Sequence, residues 1–287
     1  MGRDFHPPIT AVRAAAARAL EEDLTLLGDL TSALLPTELT ATASIVARGS
    51  GVLAGRACAT EVFAQLDACV AVRWDADDGD ALEVGSVVAE VSGPLHSMLT
   101  GERSALNFLG HLSGVASLTR RFVEAAAPLR VWDTRKTTPG LRALEKAAVR
   151  AGGGANHRGN LSDWILLKDN HIALFGLADA IKVARERWPA RTVHVECDRI
   201  EQVREALTAG ADALLLDNMT PAEVGSCAAA ADEHAATSGR RPLLEVSGGI
   251  TLDNVGAYAS TGADLVSIGA LTNSAPVLDI GLDIEGN

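Results

Sequence analysis

The chain has few aromatic residues for its size. Phe, Trp and Tyr make up 3% of its 287 residues, whereas hydrophobic residues as a whole make up 47%. The core must therefore be built from Ala, Val, Leu and Ile, the composition of helices packed on buried parallel strands. This predicts the α/β class, and the length allows either two domains or one barrel with an extension.

Cysteine is scarce, and its spacing excludes two kinds of site. The four cysteines are Cys58, Cys69, Cys197 and Cys227, and no two of them form a CxxC pair. Neither a structural zinc site nor a disulfide framework is indicated. Long apolar runs and a signal-peptide pattern are also absent from the sequence. We expect reduced thiols, no membrane partner and a cytoplasmic location.

The chain has fewer positive than negative charges overall, but positive charge is concentrated in one part of the chain. The formal net charge is -12, which argues against a nucleic-acid or anionic-membrane surface. There are only four lysines against 21 arginines, and two of the four lie in short segments that also carry arginine or histidine. These segments are DTRKTTPG (133–140), GGGANHR (152–158) and LKDNH (167–171). Such a cluster predicts a site for anionic ligands.

The second half of the sequence repeats a pattern of strand, polar residue and helix. Six short β-rich runs are predicted at 131–132, 165–167, 193–195, 214–216, 243–246 and 265–268. Helices are predicted between them at 141–151, 177–187, 200–209, 221–236 and 252–261, with glycines 152, 210 and 262 at helix ends. This alternation predicts a parallel sheet, closed as a barrel, whose chemistry lies at the carboxyl ends of the strands.

The first hundred residues have a different pattern. Ala-rich helices are predicted at 9–20 and 57–66, and short strands at 43–47, 70–74 and 87–91, which together indicate an α+β domain with a partly antiparallel sheet. A long helical pattern at 102–126, interrupted by Gly110 and Gly114, connects the two parts. No flexible linker is visible, so the two domains should pack tightly.

The arginines and lysines of the cationic segments suggest different ligand groups. Guanidinium groups bind planar carboxylates through two parallel hydrogen bonds, so Arg135 and Arg158, with Arg103, predict a dianionic or dicarboxylic ligand. Lys136 and Lys168 suit phosphate. A Schiff-base role for one lysine stays open, because neighbouring cations can lower the pKa of an amine.

Carboxylates and glycines complete the predicted site. Glu196 and Asp217 each end an apolar strand, where a buried carboxylate needs a cation or hydroxyl partner. Mg²⁺ beside a polyphosphate fits this pair, and salt bridges to the cationic loops are the alternative. The loops Ser247-Gly248-Gly249 and Gly269-Ala270 can bind a phosphate through backbone amides. His171 is a candidate substrate contact or a support for one.

Taken in order, these motifs resemble the quinolinate phosphoribosyltransferase family over nearly the whole chain. The matching motifs are EDL (22–24), GDLT (28–31), TGER (100–103), LSG (112–114), the three cationic segments, VECD (195–198), LDN (216–218), SGGI (247–250) and GALT (269–272). The resemblance implies an N-terminal α/β sandwich at 1–112, completed by 276–287, and an open-seam α/β barrel at 113–275. It also implies a homodimer in which Arg103 completes the partner's site.

The resemblance assigns roles to the site residues. It implies that Arg103, Arg135, His157, Arg158 and Lys168 contact quinolinate, and Thr134 is a further predicted substrate-binding residue. It implies that Lys136, Lys168, Glu196 and Asp217 hold phosphoribosyl pyrophosphate with Mg²⁺, and that 247–249 and 269–270 bind its 5′-phosphate. The expected reaction yields nicotinate mononucleotide, pyrophosphate and CO2. Three rivals stay open: a transferase for nicotinate or another aromatic acid, a Schiff-base aldolase or lyase using Lys168, and a phosphosugar-binding regulator.

Overall fold

The computed structural model describes residues 6–284. Its α-helices are α1 (Ile9–Asp23), α2 (Arg56–Leu66), α3 (Leu95–Ala126), α4 (Arg142–Ala151), α5 (Asp169–Phe175), α6 (Leu177–Arg187), α7 (Ile200–Thr208), α8 (Pro221–Ser238) and α9 (Ala270–Asn273). Its strands are β1 (Thr40–Ala47), β2 (Gly51–Val52), β3 (Ala71–Trp74), β4 (Ala81–Leu82), β5 (Val87–Pro94), β6 (Arg130–Trp132), β7 (Ile165–Leu167), β8 (Val193–Cys197), β9 (Ala213–Asp217), β10 (Leu243–Ser247), β11 (Leu265–Ser267) and β12 (Ile280–Ile284). Two 3₁₀ helices cover Ser32–Leu34 and Val255–Tyr258.

The described residues form two compact units that alternate along the chain. The first contains residues 6–120, 136–153 and 270–284, and the second contains residues 121–135 and 154–269. The predicted boundary between residues 112 and 113 stays a prediction. None of the described helices is long and apolar enough to cross a membrane.

The first unit contains a four-stranded sheet in the order β12-β1-β5-β3, with antiparallel pairs throughout. The last strand, β12, pairs with β1 from Ala43↔Ile284 to Ala47↔Ile280. Helix α1 buries Val12, Ala15, Ala16 and Leu20, a spacing that forms one apolar face. The prediction of an N-terminal α/β sandwich with an antiparallel sheet is confirmed.

The second unit is built on a parallel six-stranded sheet in the order β6-β11-β10-β9-β8-β7. The consecutive strands β6 and β7 lie at its two opposite edges, so the described strands leave an open seam between them. The central strands are buried along their length, as expected where helices cover a parallel sheet. The predicted fold class is confirmed.

One predicted helix of this unit is wrong. Instead of a helix at 252–261, the chain forms a single 3₁₀ helix over Val255–Tyr258. The Asn254 side chain accepts a hydrogen bond from the Thr251 N–H at 2.8 Å and donates one to the Gly249 carbonyl at 2.9 Å. These side-chain bonds hold residues 249–254 in a local turn.

The expected interruption of the long helix is also wrong, because α3 runs through Gly110 and Gly114 without a break. Both glycines lie where the C-terminal segment of the first unit crosses the helix. A methyl group at Gly114 would overlap the Pro276 carbonyl, and one at Gly110 would lie 2.9 Å from the Leu278 carbonyl oxygen. The glycines permit close backbone packing and do not end the helix.

We expect Gly114→Ala to destabilise the protein by about 1–3 kcal/mol, because the added methyl group must displace the Pro276 backbone. Gly225, inside α8, is the matched control, since a methyl group there would meet nothing within 4 Å. Gly225→Ala should stabilise the protein by about 0.4–1 kcal/mol. Urea unfolding of both variants measures the difference. Equal effects would show that Gly114 does not mediate this contact.

Candidate active site

The carboxyl edge of the parallel sheet collects the predicted polar residues. Lys168, Glu196, Asp217 and Ser247 lie at the ends of β7, β8, β9 and β10, which are neighbours in that order. Because the strands are parallel and Asp217 pairs with Ser247, these side chains share one edge of the sheet.

Lys168 and Glu196 form an ion pair at this edge. The Lys168 Nζ lies 2.6 Å from the Glu196 Oε2, and the lysine side chain is 47% exposed whereas the glutamate is 16% exposed. A half-exposed lysine that is paired with a carboxylate is not the desolvated lysine in an apolar pocket that Schiff-base chemistry needs, and it suits binding of an anion better.

A fully buried carboxylate joins two of the cationic segments. Asp133 follows β6 directly and is 0% exposed. Its carboxylate accepts hydrogen bonds from the His157 backbone N–H at 2.8 Å and from the Asn156 Nδ2 at 2.7 Å. The backbone adds a bridge between Trp132 and Ala155. Residues 154–158 are therefore held beside the end of β6, which brings His157 and Arg158 toward the Arg135 segment.

Arg135 and Arg158 lie close enough for their charges to interact. Arg158 is 8% exposed. Burial lowers its pKa first, and the like charge of Arg135 lowers it further, against smaller opposing effects of Asp163 and Glu245. Two guanidinium groups that repel each other in the free protein gain the most electrostatic stabilisation when a dianion binds between them.

Two tryptophans that the sequence analysis did not assign to the site surround His157. The Trp164 and Trp132 rings meet the imidazole edge-on, with centroids 4.9 and 6.0 Å away. Their indole N–H groups are buried and have no acceptor among residues 6–284. Flat rings next to paired guanidinium groups suit a planar aromatic acid.

The sequence analysis also missed a buried cluster that includes His157. Its members are His157, His194 and Glu245, here called the buried triad. The Glu245 Oε2 lies 3.2 Å from the His157 Nε2 and 3.5 Å from the His194 Nε2. Burial lowers the pKa of His194 to about 4, although Glu245 acts in the opposite direction.

The buried triad is also the one group among the described residues that could hold a metal ion through three side chains. The predicted pair Glu196 and Asp217 offers only two carboxylates. That number matches Mg²⁺, which keeps several waters and is held by one or two carboxylates together with substrate phosphates.

The loop 247–249 at the same edge has a tight backbone turn that would suit a phosphate. Gly248 and Gly249 adopt successive positive φ angles of 90° and 62°, and Asn218, with φ of 56°, donates its N–H to the Ser247 carbonyl at 2.9 Å. A side chain at Gly248 would overlap Asn218. Successive backbone N–H groups in a tight turn can form a concavity that binds anions. Gly269 follows β11, and Ala270 begins α9.

The remaining predicted residues are placed as follows. Thr134 is half-buried beside Asp133, and His171 accepts a hydrogen bond from the Lys168 backbone N–H through its Nδ1 at 3.2 Å.

Lys136, Arg103 and Ala270 belong to the first compact unit. The Lys136 carbonyl accepts a hydrogen bond from the Thr272 hydroxyl at 2.8 Å, and its side chain is exposed. Arg103 is exposed on α3.

An open α/β barrel with cations, carboxylates and glycine loops at its carboxyl edge defines a class of enzyme that acts on multiply anionic substrates. Family models for the N-terminal and C-terminal domains of quinolinate phosphoribosyl transferase match residues 29–113 and 115–283. The chain therefore belongs to the quinolinate phosphoribosyltransferase family, and the resemblance seen in its sequence motifs is confirmed.

Individual relatives are similar in sequence to this chain over nearly its full length. A probable carboxylating nicotinate-nucleotide pyrophosphorylase of Bacillus subtilis is 44% identical, covering 90% of this chain and 88% of the relative. The carboxylating nicotinate-nucleotide pyrophosphorylase of Mycobacterium leprae is 40% identical, covering 96% and 97%. The solved structure of the nicotinate-nucleotide pyrophosphorylase from Francisella tularensis superposes with a TM-score of 0.91 at 33% identity, covering 99% and 100%. The roles of individual residues stay predictions.

Proposed function

We propose that this enzyme transfers the phosphoribosyl group of phosphoribosyl pyrophosphate to quinolinate, with loss of one carboxylate as CO2. The products are nicotinate mononucleotide and pyrophosphate, a step of de novo NAD biosynthesis. The observation that carries the proposal is the pairing of Arg135 with Arg158 beside His157 and the tryptophans, at the same barrel end as Lys168 and Glu196.

Quinolinate is a planar pyridine with two adjacent carboxylates. In our proposal the guanidinium groups of Arg135 and Arg158 bind those carboxylates, and His157 and Lys168 add further donors. The buried indole N–H groups of Trp132 and Trp164 offer two more. A single carboxylate, as in nicotinate, would leave part of this donor set without an acceptor, which favours the dicarboxylate.

The phosphorylated substrate occupies the rest of the edge in this proposal. Lys136 and Lys168 face the pyrophosphate, and the loops 247–249 and 269–270 bind the 5′-phosphate. Glu196 and Asp217 would hold Mg²⁺, which supplies charge neutralisation for the leaving pyrophosphate.

The reaction has two stages. The bond from ribose C1 to the pyrophosphate oxygen breaks with its electron pair leaving on the oxygen, and the quinolinate nitrogen donates its lone pair to C1. The nearby carboxylates stabilise the positive charge that develops on the ribose. The ring nitrogen is then cationic, so it accepts the electron pair released when the 2-carboxylate leaves as CO2. The ring carbon finally takes up a proton.

We further propose a homodimer in which Arg103 acts on the partner's substrate. An exposed arginine on α3 and a group of exposed leucines in the first unit support a contact surface there; the leucines are Leu26, Leu27, Leu30 and Leu34. A cytoplasmic location is supported by the four free cysteines, which are typical of a reducing compartment.

The proposal predicts equal release of CO2 and pyrophosphate from quinolinate, phosphoribosyl pyrophosphate and Mg²⁺. Removal of Mg²⁺ by a chelator should abolish both signals, and added Mg²⁺ should restore them, because the leaving group otherwise keeps its full negative charge. Carboxyl-labelled quinolinate and a coupled pyrophosphate assay measure the two products. Turnover of nicotinate but not of quinolinate would overturn the substrate assignment. Trapping of substrate on Lys168 by borohydride would indicate Schiff-base chemistry instead.

A further inference from the structure

Glu145 is a fully buried acidic residue that the proposed reaction does not use. It lies in the first turn of α4 and is 0% exposed. Its Oε2 accepts a hydrogen bond from the Thr138 backbone N–H at 3.1 Å, and its Oε1 lies 2.8 Å from the His111 Nε2 on α3. A buried carboxyl is costly unless its oxygens are bonded. Here one oxygen is bonded to the loop before α4 and the other to α3, so Glu145 joins these two segments.

The same loop carries Lys136, and two further side chains fix its backbone. The Lys136 carbonyl accepts a hydrogen bond from the Thr272 hydroxyl on α9 at 2.8 Å, and the Thr137 hydroxyl accepts one from the Arg142 Nε at 3.0 Å. All of these residues belong to the first compact unit. The backbone of residues 136–138 is therefore held in place, whereas the Lys136 side chain is exposed and can meet a ligand.

We propose that Glu145 is a positioning residue for phosphoribosyl pyrophosphate, which it serves by fixing the backbone that carries Lys136. This inference rests on the proposed function, in which the Lys136 ammonium faces the pyrophosphate. Glu145 acts through the loop and does not touch the substrate. A lysine is a compact charge on a flexible stem, so its ammonium finds the same place only when its backbone is fixed. A displacement of about 1 Å can cost an enzyme about a hundredfold in rate.

Arg135 precedes Lys136 in the chain, but the two residues have different anchors. The segment that ends at Arg135 belongs to the second compact unit. It is fixed by the buried Asp133, which accepts a hydrogen bond from the His157 backbone N–H at 2.8 Å. Lys136 and Glu145 belong to the first unit. Loss of the Glu145 carboxyl should therefore displace the lysine and leave the proposed contacts to quinolinate intact.

The test measures substrate binding by the full-length enzyme and by the variant Glu145→Leu, which has a similar size but no hydrogen-bond acceptor. Calorimetry without quinolinate gives the Kd of phosphoribosyl pyrophosphate with Mg²⁺, which we expect to rise about tenfold or more, as for loss of a hydrogen bond to a charged group. Tryptophan fluorescence gives the Kd of quinolinate, since Trp164 lies next to His157. This second Kd should stay at its wild-type value. Equal losses for both ligands, or no change in the first Kd, would overturn the proposal.

Two further variants separate positioning from a purely structural role. Glu145→Gln keeps an acceptor oxygen for the Thr138 N–H, so affinity for phosphoribosyl pyrophosphate should return to near the wild-type value. Asp67→Leu is the matched control, because Asp67 also joins a backbone N–H to α3. It accepts hydrogen bonds from the Cys69 N–H and the Ser97 hydroxyl, both at 2.8 Å. Asp67→Leu should leave both Kd values unchanged, and a rise equal to that of Glu145→Leu would contradict a specific role.

A double-mutant cycle tests whether Glu145 acts through Lys136. In a Lys136→Ala background, Glu145→Leu should cause almost no further loss of affinity for phosphoribosyl pyrophosphate, and additive losses would overturn the proposal. If Glu145→Leu does not fold, Glu145→Asp replaces it, since a shorter carboxyl withdraws the acceptor from Thr138. Wild-type affinity in Glu145→Asp would also overturn the proposal. If Lys136→Ala or wild-type enzyme shows no role for Lys136 in binding, the proposed function fails at this residue, and the inference fails with it.

Discussion

Replacing Arg135 by alanine should lower kcat/KM for quinolinate by at least about a hundredfold, equivalent to roughly 3 kcal/mol of transition-state stabilisation. Arg135 follows β6 and interacts with the buried Arg158. In the proposed complex its removal would leave one substrate carboxylate without its bidentate partner in a partly desolvated site. Steady-state kinetics with quinolinate as the varied substrate measure the loss.

Two controls show that the loss comes from the lost guanidinium. Arg135→Lys keeps the charge but cannot form the paired hydrogen bonds, so it should recover only part of the activity. Arg73→Ala removes an exposed arginine of the first unit, where Asp75 and Glu90 are its partners, and should leave turnover unchanged. Wild-type kcat/KM in Arg135→Ala would remove this residue from the site.

Mixing two inactive variants should restore activity if the site is shared between subunits. Arg103→Ala and Lys168→Ala are each expected to be inactive as homodimers. In a mixed dimer, one site contains both defects and the other contains none. Random re-equilibration of equal amounts should therefore return about a quarter of the wild-type activity, because half of the dimers carry one intact site of two.

The matched control mixes Arg135→Ala with Lys168→Ala. Both residues lie in the second compact unit of one chain, so every site of the mixed dimer keeps one defect. No activity should return from this pair. Equal recovery in both mixtures, or none with Arg103→Ala, would show that Arg103 does not act in the partner's site.

The secondary structure of the second unit was predictable because buried parallel strands are continuous apolar runs. The predicted helix 177–187 has the observed bounds, and the strand 165–167 does as well. The exception, 252–261, carries apolar residues at helical spacing, but Asn254 bonds to its own loop. The short helix α5 was missed because its seven residues include the polar Asp169, Asn170 and His171, which gave no apolar periodicity.

The predicted site residues were found from position, because a polar residue that ends an apolar strand must lie at the sheet edge. Trp132, Trp164, His194 and Glu245 could not be found in this way. The sequence contains one sign of the role of Glu245, which is a carboxylate inside the apolar run LLEV. Its partners, however, lie 51 and 88 residues earlier in the chain. For Gly114 the sequence predicted a break in the helix that does not exist. Nothing in the sequence near this glycine indicates that Pro276 crosses α3 there.

The sequence alone determined the fold class, the presence and order of the parallel strands and the family, because apolar periodicity and ordered motifs are local properties of the chain. The tertiary structure decided which of the gathered side chains touch. It pairs Lys168 with Glu196, places Arg135 near Arg158, and puts the Glu245 carboxylate against His157. Hydrogen bonds and charge interactions depend on distances of a few ångströms between residues remote in sequence, and the packing of strands and loops sets those distances.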